Sequence, residues 1–301
     1  MGKSRQSLAH KHPKQTTENQ RSYNRENIET NIQMKLSIIT INYNNLFGLK
    51  KTIDSVLAQS FKDYEWIVID GGSKDGCKEF IEQNESRFAF WCSEPDKGIY
   101  NAINKGLAHA NGDYVQFLNS GDWLYDKTTL EKAFTQIDNN HDIYYGDMVQ
   151  VNDGDKLNPI IYPDELGFFF FPYNNICHQA TFYRRTLFDS THYDESFSIV
   201  SDWAMNLSLL FKGCTFKHLN QFIVYFDNRG RSSEADQKHH AERIAAFAKY
   251  VPQQLQIDVK KYEKNYYFSR HRKSTRWIMD NAIRFCQWLD KQLSRREKSD
   301  K

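Results

Sequence analysis

Short apolar runs alternate with helical periods along most of the chain. Residues 36–41 (LSIITI) form a continuous apolar run of the length of a buried strand. Leu46, Leu49, Ile53, Val56 and Leu57 follow at spacings of three and four, the stripe of one helix face. EWIVID, residues 65–70, predicts a second buried strand that ends in the turn-forming Gly71-Gly72-Ser73. Ser73 is placed to cap a helix running through Cys77, Phe80 and Ile81. A third strand is expected over 88–92. A helix follows through Ile99, Ala102, Ile103, Gly106 and Leu107, stopping near Asn111-Gly112, and a fourth strand covers 114–118. Strand and helix alternating at this rhythm predict an α/β sheet with crossover helices, largely parallel in its first half.

Residues 1–33 are polar and without period, so a disordered N-terminal extension is expected there, with Met34 a candidate translation start. The longest apolar stretch, residues 166–171, is far shorter than the ~20 residues of a spanning helix, and no secretion-type apolar region follows the first charges. The expected location is the cytoplasm. Five cysteines with no C-x-x-C pair are read as reduced thiols, and a zinc site is not expected. The formal charge of +2 is unevenly spread. Residues 1–33 carry +3 and residues 261–301 carry +7, which leaves −8 on the body between them. Basic ends on an acidic body favour a polyanionic surface at the termini, not a groove lined for nucleic acid.

In parallel α/β sheets, ligands gather beyond the carboxyl ends of the strands. Four polar segments fall there: Asn42-Tyr43-Asn44, Asp70-Gly71-Gly72-Ser73, residues 94–98 (EPDKG), and Asn119-Ser120-Gly121-Asp122. They are expected to share one cleft. The turn after the first strand has neither a dinucleotide fingerprint nor a P-loop. A diphosphate held there needs another counter-charge, and a divalent metal on carboxylate oxygen supplies one. Asp122 is the candidate ligand. Its alternative is a turn residue that bonds its own backbone.

Residues 36–126 resemble the inverting family 2 glycosyltransferases of the GT-A fold. The likeness rests on SIITINYNN, SVLAQSFKDYEWIVIDGGSKDG and SEPDKGIYNAINKGLAHANGDYVQFLNSGD, and continues through CHQATFYRR to IVSDW. The fold class it implies is a GT-A-type mixed sheet flanked by helices, with a catalytic domain over 34–230 and a C-terminal helical segment over 231–301. It implies that Tyr43 packs on a nucleotide base, that Asp70 lies in the nucleotide pocket, and that Asp96, Lys97 and Asn104 belong to a second donor-binding stretch. The last two also read as a solvated loop lysine and a polar helix face. Gly71 stands where many relatives carry a second acid, which leaves the base open. Asp122 is the acid that remains of the family's metal motif, with Mg²⁺ or Mn²⁺ as the implied cofactor.

The same resemblance makes Asp202 the general base. The alternative for Ser201-Asp202 is a cap on the helix carrying Leu207, Leu210 and Phe211. His178-Gln179 is a weaker candidate for sugar contacts, and 229–233 with His239-His240 read no higher than a solvated loop. Near the C-terminus Ile278, Ala282, Phe285, Leu289 and Leu293 form a helical stripe beside Trp277 and Trp288, with Arg276, Arg284, Lys291 and Arg295 on another side. Such a helix either packs on the catalytic domain or lies on an anionic bilayer, which would make the protein peripheral to the inner face of the cell membrane. The implied partners are a nucleotide-sugar donor and a glycan or lipid-linked acceptor, in cell-surface polysaccharide biosynthesis. The alternatives are a sugar-phosphate nucleotidyltransferase and a non-catalytic binding module.

Overall fold

The computed structural model describes residues 36–228 and 236–261. The expected N-terminal extension, Met34, segment 229–233 and the stripe at 277–293 lie outside these residues. Nine strands form one mixed sheet among the described residues, ordered β3-β2-β1-β4-β8-β6-β9-β5, with β7 paired to β6. Strands β1 (Leu36–Asn42), β2 (Tyr64–Asp70), β3 (Phe90–Ser93) and β4 (Tyr114–Phe117) are parallel neighbours. The sheet then turns antiparallel at β8 (Thr181–Arg184) and β6 (Ile143–Asn152). Strand β9 (Phe216–Asp227) runs parallel to β6, and short β5 (Trp123–Leu124) closes the edge against β9. Strand β7 is Lys156–Ile160.

The unbroken apolar runs of β1 and β2 follow from burial on both faces. Leu36, Ile38, Trp66 and Val68 pack with α1 (Leu46–Leu57), α2 (Cys77–Glu82) and α4 (Thr129–Gln136). Ile39, Ile41, Ile67 and Ile69 face the other way, onto α3 (Ile99–Leu107) and α5 (Ser201–Phe211). A third cluster joins Trp203 and Leu207 of α5 to Phe171 and to Ala246 of α6 (Asp236–Tyr250), with the Trp203 and Phe247 rings stacked 6.5 Å apart. The described start of the expected C-terminal segment is thus packed on the sheet-bearing body.

Two local expectations are corrected. Ser73 does not cap α2. That helix begins at Cys77 behind Gly76, and Asp75 accepts the Cys77 N–H at 3.3 Å, while Ser73 turns back to the Asp70 carboxylate. Strand β3 starts at Phe90 instead of residue 88, because residues 85–87 form a tight helical turn that delays pairing.

Candidate active site

Parallel register brings the strand ends level: Asn42 pairs with Asp70 and Asp70 with Ser93. A cleft of about 580 Å³ opens above them, lined by Asn42, Tyr43 and Asn45, by Gly71, by Asp96, Gly98 and Ile99, and by Asn119 and Ser120. All four strand-end segments contribute, as their spacing predicts.

The candidate residues divide by what their polar atoms do. Tyr43 is half exposed at the cleft wall. Asp70 is fully buried, and its oxygens accept Asn42 Nδ2 at 2.6 Å, Ser73 Oγ at 2.5 Å, the Ser73 N–H at 2.9 Å and Ser93 Oγ at 2.6 Å. It ties three strand ends together from behind the lining and presents no oxygen to the cleft. Asp96 faces the cleft, its Oδ1 accepting the Gly98 N–H at 2.8 Å, while Lys97 is exposed outside the lining.

Asn104 does not line the cleft. Its amide donates to the Tyr193 carbonyl and to Glu195 Oε1, both at 2.9 Å, and accepts the Tyr193 N–H at 3.0 Å. It fastens the 193–195 loop to α3.

Asp122 is buried beneath the cleft. Gln179 Nε2 donates to its Oδ2 and the Asp227 N–H to its Oδ1, each at 2.8 Å. Burial pushes the carboxyl up to about 7, with the Asp227 charge adding to the rise and the two hydrogen bonds opposing it. The turn-residue alternative is not what forms, since its partners are remote in sequence.

Asp202 sits in the first turn of α5, yet that helix is capped at Val200 with no side-chain bond, so the capping alternative falls. Its Oδ2 accepts Asn175 Nδ2 at 2.9 Å, and its Oδ1 lies 3.1 Å from Tyr100 Oη, whose single proton is shared with the Ile199 carbonyl at 2.6 Å. A relay fixes the Asn175 amide: Tyr183 Oη donates to Asn206 Oδ1, and Asn206 Nδ2 to Asn175 Oδ1, which turns the Asn175 N–H toward Asp202. Tyr100 follows cleft-lining Ile99 in the chain, while neither it nor Asp202 is among the lining residues. Tyr100 and Asn175 escaped sequence reasoning. Tyr100 carries a signal in the IYNAIN run, whereas Asn175 has none.

A family model described as glycosyl transferase family 2 matches residues 37–210. The chain belongs to glycosyl transferase family 2. A PGL/p-HBAD biosynthesis glycosyltransferase of Mycobacterium bovis is 32% identical over 177 residues, 57% of this chain and 68% of that protein. An uncharacterized glycosyltransferase of Mycobacterium tuberculosis is 50% identical over 88 residues, 29% of this chain and only 34% of the relative's length. Among solved structures, residues 1–349 of Staphylococcus aureus TarS with UDP-GlcNAc superpose with a TM-score of 0.55 at 21% identity, covering 67% of this chain and 61% of that one. A mannosyltransferase from Pyrobaculum calidifontis with GDP-Man and Mn²⁺ gives 0.51 at 15%, covering 71% and 63%. The fold is the GT-A arrangement shared with these structures.

Proposed function

We propose that this glycosyltransferase moves a sugar from a nucleotide-sugar donor to a hydroxyl of a glycan or lipid-linked acceptor, with inversion, in the building of a surface polysaccharide. The observation that carries the reading is Asp202, a partly exposed carboxylate whose Oδ2 is held by Asn175 and whose Oδ1 lies against Tyr100 Oη, without capping the helix. Direct displacement needs one such group. The acceptor oxygen bonds to the anomeric carbon, the bond from that carbon to the diphosphate breaks with its electron pair on the diphosphate, and the hydroxyl proton passes to Asp202. Tyr43 and Asp96 would meet the nucleotide, with Lys97 at the rim. Asp70 holds the floor on which they stand.

Asp122 fits a divalent cation of the Mg²⁺ or Mn²⁺ kind. It is a buried carboxylate carrying charge that burial and Asp227 disfavour, and two donors leave about half of its roughly four lone-pair positions open. No cluster of three His, Cys, Asp or Glu ligands occurs among the described residues. One or two carboxylates completed by substrate phosphates is a common arrangement for such ions. A bound ion would supply counter-charge to the leaving diphosphate.

Thermal stabilisation by a panel of UDP-, GDP-, dTDP- and CMP-sugars with Mg²⁺ or Mn²⁺ selects the donor. With that donor, Asp202→Asn is expected to keep affinity and lose ~10²–10⁴-fold in turnover, the range of general-base catalysis. Turnover of the variant close to that of the unaltered enzyme would remove Asp202 from the chemistry.

A further inference from the structure

The tight turn at His178–Ala180 lies between the two acids of the proposed site. Gln179 reaches one of them, Asp122, at 2.8 Å. His178 approaches the other. Its ring is buried, with Nδ1 3.9 Å from Asp202 Oδ2 and without a hydrogen-bond partner. On the opposite edge Nε2 lies 3.3 Å from Asn119 Nδ2, and Asn119 lines the cleft. An unpaired ring nitrogen in a buried site is costly unless it serves something.

The two edges of the ring settle the tautomer together. Asp202 offers only acceptor oxygens when ionised, so the nitrogen facing it is best protonated, and Nε2 is then free to accept from the Asn119 amide. Burial lowers the ring's affinity for a second proton, which keeps it neutral. The ring has little freedom to turn away. The Phe117 ring meets it edge-on at 5.9 Å, and its turn is closed by the Ala180 N–H and Thr181 Oγ1, both donating to the Cys177 carbonyl. Moving Nδ1 about 1 Å toward Oδ2 brings it into hydrogen-bonding distance.

We propose that His178 is a positioning residue for Asp202: its Nδ1–H is a further donor to the carboxylate, aiming it at the acceptor hydroxyl, while Nε2 ties that arrangement to Asn119 in the cleft wall. The inference rests on Asp202 being the base. Its consequence is that Asp202 is oriented from three elements at once: α3 through Tyr100, the 175 loop through Asn175, and the 178–180 turn through His178. Arg243 of α6 is the cation whose field Asp202 also feels.

Two measurements on the full chain test it. In nitrogen-resolved NMR of histidine-labelled protein, with the His178 signal assigned by its loss in His178→Gln, the ring is expected as the neutral Nδ1–H tautomer, and Asp202→Asn is expected to shift it. A proton on Nε2, or a signal indifferent to Asp202→Asn, overturns the proposal whatever Asp202 does in turnover. The second measurement compares side chains that mimic one ring edge each. His178→Asn can place an amide N–H near the Nδ1 position and is expected to keep most turnover of the donor selected by the thermal panel. His178→Gln reaches toward the Nε2 position instead and is expected to lose about 10- to 100-fold in kcat with donor affinity unchanged, the scale of a misplaced catalytic group. Equal loss in both variants assigns His178 to folding and overturns its positioning role. Should Asp202→Asn retain turnover while the NMR result holds, it is the general-base reading that fails, not the contact.

Discussion

Gly71 and Asp96 occupy each other's space. A β-carbon on Gly71 would lie 2.5 Å from Asp96 Oδ2 and 3.1 Å from Tyr43 Cδ2, so the missing side chain is what lets the 94–98 loop close over the β2 turn. No carboxylate stands at position 71, and one from the neighbouring loop lies against it.

Gly71→Ala tests that relationship. Gly71 does not have the positive φ of Gly72 or Gly76, so alanine adds bulk without backbone strain. The methyl group displaces Asp96 and Tyr43 from the cleft wall. Calorimetric titration with UDP and with GDP is expected to show affinity weakened by about tenfold, ~1.4 kcal/mol, for whichever nucleotide the wild type binds. Unaltered affinity would place the nucleotide elsewhere.

Asp122→Asn should change the pH dependence of stability. The carboxyl titrates near 7 in the folded chain and near its ordinary value of about 4 when unfolded. Its neutral form therefore supports folding fully below about pH 4. That support is lost as pH rises toward 7, while the unfolded chain ionises freely and the folded one must not, and the loss is complete above it. Asparagine has no such loss. In metal-free buffer the variant is expected to melt higher than wild type at pH 8, with the gap shrinking toward pH 4. In the same variant, Mn²⁺-dependent affinity for the nucleotide should disappear.

Asn104→Ala separates a loop anchor from a donor contact. Three hydrogen bonds to residues 193 and 195 vanish, and a loss of about 1–3 kcal/mol in stability is expected from denaturant unfolding. Nucleotide affinity in the same preparation should remain. A fall in affinity without a fall in stability would make Asn104 a donor contact.

The basic C-terminal residues are expected to hold the enzyme on anionic bilayers. No described helix is long and apolar enough to cross a membrane, and residues 261–301 carry +7. Each Lys or Arg near an anionic surface contributes about 1 kcal/mol, an attraction that fades with salt. Full-length protein should co-sediment with phosphatidylserine vesicles at low salt and release at high salt, and a 1–269 truncation should stay in the supernatant. Equal behaviour of the two chains would assign the stripe at 277–293 to packing.

Hydrophobic patterning by itself determined the parallel half of the sheet, because a strand covered on both faces must be apolar at successive positions, as LSIITI and WIVID are. The same pattern located the cleft. Parallel strands joined by crossover helices put all their carboxyl ends on one side, so Tyr43, Gly71, Asp96 and Asn119 had to converge. What each polar side chain does once there was decided by tertiary structure. Asp70 and Asp96 look alike as acids of strand-end segments, yet one is consumed by the β1–β3 strand ends and the other faces the cleft. Asp202 looks like a helix cap, and the meeting of α5 with Tyr100 and Asn175 gives its oxygens remote partners instead. Those partners lie up to 102 residues away in sequence. Periodicity reports which face of an element is buried. It carries no record of which remote polar group the folded chain will bring against that face.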